Sequence, residues 1–134
     1  MLNVLIVDDE ENARVGLSKL LAKDGHHVFA VGDGFEALKH MRQESTDLII
    51  TDINMPRMNG LVFLREVNQL FPQVKVIMVT AYGGVESYLE AMNLGAFEYL
   101  NKPVKLEQLK AMINRIFSCS TDQPNHLTRS PAAP

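Results

Sequence analysis

Four short apolar runs organise this chain, and each is closely followed by a side chain that carries a charge or a hydroxyl group. Residues 4–7, 48–51, 74–79 and 97–100 are predicted to be β-strands, because short apolar runs bounded by polar residues are typical of strands buried in a sheet. The residues that follow these runs are Asp8, Asp9, Asp52, Thr80 and Lys102. In an open parallel α/β sheet, ligands bind outside the carboxyl ends of the strands. We therefore expect these side chains to meet in one crevice.

Length and charge restrict the class of protein. The chain has 134 residues, of which 46% are hydrophobic, enough for one domain with a buried core. The 13 lysines and arginines are scattered and the net charge is −3, so nucleic-acid binding by this chain has no electrostatic support. No apolar run reaches the roughly 18 residues of a membrane span, and the start lacks a charged signal region. A cytoplasmic location is expected.

Apolar residues at helical spacing separate the strands and predict five strand–helix units. A further strand is predicted at 28–31, and Glu98 interrupts the last strand, which favours an edge position for it. The fold class is therefore α/β: a flavodoxin-like, doubly wound, five-stranded parallel sheet of order 2-1-3-4-5 with five helices. In the helix after Asp52, the residues predicted to be buried are Phe63, Leu64, Val67, Leu70 and Phe71.

The composition changes after residue 117. Residues 118–134 lack apolar periodicity and contain three prolines, which predicts a disordered tail or a truncated linker. Residues 1–117 are predicted to form the folded domain. The single cysteine, Cys119, excludes an internal disulfide and has no metal-ligand spacing.

The crevice suggests phosphoryl chemistry. Three carboxylates within a few ångströms repel one another, and a hard cation such as Mg²⁺, which prefers oxygen ligands, relieves that repulsion. One carboxylate can then act as a nucleophile toward phosphorus. The ammonium group of Lys102 and the hydroxyl group of Thr80 can bind phosphoryl oxygens. Taken singly, each residue has a plainer interpretation as a helix cap, a turn residue or a surface lysine. The specificity lies in their joint occurrence at the same end of successive strands.

These residues resemble the receiver domain of bacterial two-component response regulators, which has the CheY-like version of this fold. The resemblance covers residues 2 to about 117, and its matching segments are 4–10, 52–60, 79–81 and 99–103. It implies that Asp52 accepts a phosphoryl group from a phosphohistidine of a sensor kinase or phosphotransfer protein. It implies Mg²⁺ as the cofactor, and the implied metal ligands are Asp8, Asp9, Asp52 and the backbone carbonyl of Asn54.

The same resemblance implies that Thr80 and Lys102 bind phosphoryl oxygens, and that Thr80 and Tyr99 are the switch residues. It also implies a cis peptide bond between Lys102 and Pro103. Such a protein is not an enzyme beyond catalysing its own phosphorylation and dephosphorylation. The implied partners are a sensor histidine kinase, an output domain or partner protein, and a second receiver in a phosphorylation-dependent homodimer.

Residues 80–86 and 94–100 look most like receivers attached to transcriptional activators of the nitrogen-regulation type. The ATPase of those activators carries a phosphate loop, G-x-x-x-x-G-K-[ST], that this sequence lacks. The chain is therefore predicted to be either a stand-alone receiver or a fragment of a longer regulator.

One other motif supports an alternative. Gly32-x-Gly34-x-x-Ala37 matches the dinucleotide fingerprint, follows a predicted strand and precedes a helix. The alternative function is a small nucleotide-binding α/β module. Against it, the motif follows the second strand rather than the first, and it leaves four residues without a role: Asp8, Asp9, Thr80 and Lys102. A phosphatase with an aspartyl nucleophile is a third candidate, but haloacid-dehalogenase-like enzymes separate the two acids that are adjacent here.

Overall fold

A computed structural model describes residues 1–55, 57–81 and 85–122, apart from the side chains of residues 85 and 118–122. The chain divides into two compact units, residues 1–103 and 104–134, which are described separately. The first unit contains five strands and four helices in alternation: β1 Asn3–Val7, α1 Glu11–Lys23, β2 His27–Val31, α2 Gly34–Gln43, β3 Leu48–Asp52, α3 Gly60–Leu70, β4 Lys75–Thr80, α4 Val85–Asn93 and β5 Glu98–Asn101. The second contains α5, Leu106–Asp122.

The five strands form one parallel sheet of order β2-β1-β3-β4-β5. This order, with five helices, confirms the predicted flavodoxin-like fold. β2 lies on one side of β1, and the chain then crosses to the other side, where β3 pairs with β1. Val7 of β1 pairs there with Thr51 of β3. Asp52 pairs in turn with Val79 of β4. The residues that follow β1, β3 and β4 therefore share one edge of the sheet, where a crevice forms in such folds.

Burial follows position in the sheet. All five residues of β3 are buried, and so are four of the five in β1, because strands inside a parallel sheet are covered on both faces. The edge strand β2 has three exposed residues, including Phe29. The predicted edge positions of β2 and β5 are thus confirmed.

Helix α3 contributes Phe63, Leu64 and Val67 to the core, and all three are completely buried. The prediction for Leu70 is wrong, since 52% of this residue is exposed. Leu70 ends the helix, and the next residue, Phe71, packs against the core. A helical pattern does not reveal that the chain leaves its helix at this point and covers the core with the following side chain.

Helix α5 continues to Asp122, five residues past the end of the predicted domain at 117. Residues 123–134 of the predicted tail lie outside the described residues. The domain boundary and the disordered or linker character of the tail therefore remain predictions. None of the described helices combines the length and apolar character needed to cross a membrane.

Candidate functional site

The carboxyl ends of β1 and β3 bring three aspartates together. Asp52 is the last residue of β3, and Asp8 and Asp9 directly follow β1. One carboxylate oxygen from each of the three lies within 4.8 Å of the others. Asp8 is 7% exposed and Asp52 is 9% exposed, whereas Asp9 is open to solvent. The predicted acidic cluster is confirmed, with two shielded carboxylates and one accessible carboxylate.

Lys102 reaches the same cluster from beyond β5. Its Nζ lies 2.9 Å from Asp52 Oδ2 and 3.0 Å from Asp8 Oδ2, so one ammonium group bridges both shielded carboxylates. Burial lowers the pKa of Lys102, but the hydrogen bonds to Asp52 and Asp8 outweigh it and raise the pKa above its ordinary value. Lys102 therefore stays charged. The predicted cis peptide bond between Lys102 and Pro103 is confirmed.

Backbone groups orient the second oxygen of each shielded carboxylate. The amide of Glu10 donates to Asp8 Oδ1 at 2.9 Å, and the amide of Asn54 donates to Asp52 Oδ1 at 3.3 Å. Carboxylate oxygens have about two acceptor sites each, so these bonds leave lone pairs for a cation. The donor set is entirely oxygen, and two of its groups are already fixed in direction. This chemistry fits a hard divalent cation such as Mg²⁺.

A glycine at the start of α3 lies tightly against the backbone of Asp52 and Ile53. The amide of Gly60 donates to the carbonyl of Ile53 at 2.6 Å. A Cβ atom on Gly60 would lie only 2.2 Å from the carbonyl oxygen of Asp52. Asn59 caps α3, and its side chain accepts hydrogen bonds from Leu61 and Val62. Any residue with a Cβ atom at position 60 would therefore force the backbone beside Asp52 to move.

The two predicted switch residues lie on neighbouring strands. Thr80 ends β4 and is 1% exposed, and its carbonyl accepts a hydrogen bond of 2.8 Å from the amide of Lys102. Tyr99 on β5 is half-buried, and its hydroxyl donates to Ser87 Oγ of α4 at 3.1 Å. The ring of Tyr99 meets that of Tyr88 edge-on, with 5.5 Å between centroids. Thr80 therefore lies at the crevice edge of the sheet, and Tyr99 lies against α4.

Sequence reasoning missed two arginines near the site. Arg14 of α1 donates from Nη1 to the carbonyl of Asp8 at 2.8 Å and so anchors the residue that follows β1. Arg57, in the loop after Asp52, forms an ion pair with Asp33 at the start of α2. Nothing in the sequence identifies the partner of either arginine. The one available signal was that Arg57 lies in segment 52–60, which carries the resemblance to receiver domains.

The second glycine of the nucleotide-like motif, Gly34, has a packing role in the structure. A Cβ atom on Gly34 would lie 2.8 Å from Sδ of Met58 and 3.2 Å from Phe63, so the absent side chain makes room for these two residues. Asp33 caps α2 by accepting from the amide of Glu36 at 2.9 Å. A carboxylate therefore already takes the helix end where a dinucleotide phosphate would bind. These contacts disfavour the nucleotide-binding alternative.

A parallel sheet of this order, with an acidic cluster at the ends of β1 and β3, defines a CheY-like signalling domain. The chain belongs to the response regulator receiver domain family, because the sequence profile of that family matches residues 4–114. Members of this family are receiver domains rather than conventional enzymes.

Two curated relatives are NtrC-family activators, which agrees with the predicted subfamily. The chain is 38% identical over 112 residues to the regulatory protein AtoC of Escherichia coli strain K12, covering 84% of this chain and 24% of that protein. It is 32% identical over 120 residues to the DNA-binding transcriptional regulator NtrC of the same strain, covering 90% and 26%. The chain thus spans about a quarter of the length of these relatives.

A solved receiver domain from Clostridium thermocellum has the same architecture. It matches with a TM-score of 0.84 at 33% identity, and the match covers 90% of this chain and 98% of that chain.

Proposed function

We propose that this chain accepts a phosphoryl group on Asp52 from the phosphohistidine of a sensor kinase, in a Mg²⁺-dependent reaction, and that the modification changes its surface. The observation that carries the proposal is the position of Asp52. Its carboxylate lies beside Asp8 and Asp9 and 2.9 Å from the ammonium group of Lys102. A histidine kinase is the partner that a receiver domain implies; a phosphotransfer protein is an equivalent donor.

Asp52 is the proposed nucleophile because the resemblance to receiver domains assigns it that role, whereas Asp8 has equivalent contacts with an amide and with Lys102. The amide of Asn54 orients its Oδ1 atom, and Lys102 binds its Oδ2 atom. An Asp52 oxygen would form the new bond to phosphorus while the bond between phosphorus and the donor nitrogen breaks. The imidazole that leaves takes its proton from solvent, and an acyl phosphate remains on Asp52. Phosphoryl transfer of this kind depends on positioning and charge neutralisation more than on covalent work by the protein.

Asp8, Asp9, Asp52 and the backbone carbonyl of Asn54 would hold the metal. Mg²⁺, when bound there, neutralises phosphoryl oxygens and offsets the repulsion among the three carboxylates. The exposed Asp9 is the ligand that an entering cation can reach first, because Asp8 and Asp52 are shielded. Arg14 supports this arrangement by holding the carbonyl of Asp8.

Lys102 would change partners during the reaction. Before transfer it binds Asp8 and Asp52, which keeps the shielded carboxylates together. After transfer, the phosphoryl oxygens carry roughly −1.5 to −2 charge and are stronger acceptors for the ammonium group. Thr80, at the end of the adjacent β4, would contribute its hydroxyl to another phosphoryl oxygen.

The surface change would pass from Thr80 to Tyr99. A ligand shifts a conformational equilibrium only when it interacts differently with the two states, so the phosphoryl group must bind Thr80 in one state only. Movement of Thr80 toward Asp52 would open space beside β5, and Tyr99 would fill it after giving up its bond to Ser87. The α4–β5 face would then present a different surface to an output partner or to a second receiver.

Labelling with acetyl phosphate tests the chemistry. Intact protein should gain one phosphoryl group in the presence of Mg²⁺ and none after chelation, measured by intact-mass spectrometry. Asp52→Asn should abolish the gain, because the amide is not a nucleophile. Asp47→Asn is a matched control outside the crevice, and it should label normally. Stoichiometric labelling of Asp52→Asn would refute the assignment. An absence of any effect of nicotinamide cofactors on thermal stability would dismiss the nucleotide-binding alternative.

A further inference from the structure

An ion pair joins the turn before α2 to the loop that follows Asp52. Nη2 of Arg57 donates to Oδ2 of Asp33, and the guanidinium also lies over the ring of Phe35, 5.5 Å from its centroid. Asp33 is 7% exposed, whereas the side chain of Arg57 is 62% exposed. The buried partner is therefore fixed in place, and the arginine reaches to it across the surface.

The backbone of Arg57 needs such a contact. Its φ angle is +69°, in the left-handed region, which is unfavourable for residues other than glycine. The adjacent Met58 is buried against Gly34 at the start of α2. Two consecutive residues thus fasten the loop to one helix end, Met58 by packing and Arg57 by charge.

Asp33 divides its two oxygens between these tasks. Oδ1 accepts from the amide of Glu36 and caps α2, while Oδ2 binds Arg57. Burial raises the pKa of Asp33, but the Glu36 hydrogen bond and Arg57 outweigh it and hold the pKa below its ordinary value. The carboxylate is therefore charged at neutral pH. An asparagine at this position can keep the cap through its side-chain oxygen, but it replaces the Oδ2 acceptor of Arg57 by an NH2 group and so removes the ion pair.

We propose that Asp33 and Arg57 are positioning residues for the metal site, which restrain the loop that supplies the carbonyl of Asn54, the proposed backbone ligand. Asn54 lies three residues before Arg57 in this loop and is exposed. Its backbone amide donates a hydrogen bond to Oδ1 of Asp52. This bond is 3.3 Å long, which is long for an N–H···O hydrogen bond and therefore weak. The ion pair supplies restraint that this bond does not. The inference rests on the proposed function, since it assigns Asn54 a role in metal binding.

Mg²⁺ binding to four proteins tests the inference: the unaltered chain, Asp33→Asn, Arg57→Gln and the double variant. Amide chemical shifts report the affinity without any phosphoryl transfer. Each single variant should bind Mg²⁺ about tenfold more weakly, the lower end of the effects seen when supporting residues of metal sites are replaced. The double variant should be no weaker than either single variant, because both substitutions break the same pair. Unchanged affinities, or effects that multiply in the double variant, would overturn the inference.

Two controls separate this inference from the proposed function. Arg65→Gln removes the same charge from an exposed site on α3 and should leave the affinity unchanged. Asp9→Asn removes a proposed ligand and should weaken Mg²⁺ binding strongly. If Asp9→Asn leaves the Mg²⁺ affinity unchanged, the proposed metal site is wrong. If Asp9→Asn weakens Mg²⁺ binding and Arg57→Gln does not, only the positioning role is wrong. With acetyl phosphate, Arg57→Gln should raise the half-saturating Mg²⁺ concentration but leave the labelling rate at saturation near that of the unaltered chain. A lower rate at saturating Mg²⁺ without a change in half-saturation would contradict positioning of the metal ligand.

Discussion

The ammonium group of Lys102 lies 2.9 Å from Oδ2 of Asp52, although 50 residues separate the two in sequence. The same group also binds Asp8, so a single positive charge offsets part of the repulsion between two shielded carboxylates. We therefore expect the stability of the protein to depend both on Lys102 and on a cation at the acidic cluster.

Lys102→Ala should lower the free energy of unfolding in metal-free buffer by about 1.5–3 kcal/mol, the range for hydrogen bonds to charged groups. The reason is that Asp8 and Asp52 lose their shared cation while both stay shielded from water. Saturating Mg²⁺ should then stabilise the variant more than it stabilises the unaltered chain. Urea unfolding with and without Mg²⁺ measures both quantities. Lys39→Ala, at an exposed position on α2, is the control and should shift neither by more than about 0.5 kcal/mol. Equal Mg²⁺ stabilisation of all three proteins would contradict the prediction.

Gly60→Ala should destabilise the protein by about 2 kcal/mol or more, because its Cβ atom would lie 2.2 Å from the carbonyl oxygen of Asp52 and 2.6 Å from Cα of Ile53. The obstacle is backbone that cannot rotate away, so the loop beside Asp52 must shift. Phosphorylation by acetyl phosphate should slow with it. Gly16→Ala is the matched control: nothing lies within 4 Å of the added atom, and alanine should stabilise α1 by about 0.5–1 kcal/mol. Thermal melts of the two variants should therefore move in opposite directions.

The ion pair of Asp33 and Arg57 should make stability depend on pH in the acid range. Burial opposes the charge on Asp33, but the bonds from Glu36 and Arg57 lower its pKa in the folded protein below 3.8. A lowered folded pKa contributes stability that is present above the unfolded pKa and is lost as the pH falls through the folded value. Asp33→Asn should therefore be less stable than the unaltered chain at pH 7, and the difference should shrink below about pH 4. A difference that stays constant from pH 7 to pH 3 would show that the charge on Asp33 contributes nothing.

Phosphorylation, or a beryllofluoride mimic of it, should perturb the α4–β5 face more than the opposite part of the sheet. The expected route is from Asp52 through Thr80 to Tyr99, so amide signals of residues 85–101 should shift far more than those of residues 12–45. Tyr99→Phe removes the hydroxyl bond to Ser87, and the ring should turn inward more readily. Some of the activated shifts should therefore appear in this variant before phosphorylation. Changes confined to the loop beside Asp52 would show that the site binds phosphate without altering this face.

The fold and the acidic cluster could be predicted because strand ends carry the information. β1, β3 and β4 are apolar runs long enough to be recognised, and in a parallel sheet their ends share an edge, so Asp8, Asp52 and Thr80 were expected there. Lys102 was expected there as well because it closely follows the run 97–100, although a lysine taken singly is ordinarily a surface residue.

What could not be predicted depends on contacts between distant segments or on where a helix face lies. Asp33 and Arg57 are separated by 24 residues, and neither pattern nor propensity pairs them. Helical spacing also placed Leu70 among the buried residues, yet 52% of this residue is exposed. Periodicity gives the direction of an apolar stripe but not how far the sheet extends beneath it.

Because β3 is buried along its whole length, Asp52 stands at the end of a strand whose other residues can hardly be altered without loss of the core. The exposed residues beside it carry no such burden: Asn54 is open to solvent one step beyond Ile53. Protein engineers who wish to lengthen or shorten the life of a phosphorylated Asp52 should therefore vary the exposed side chain of Asn54 and leave the strand alone. Timing and folding would then be adjusted on separate residues, and a library built at Asn54 would lose few members to misfolding.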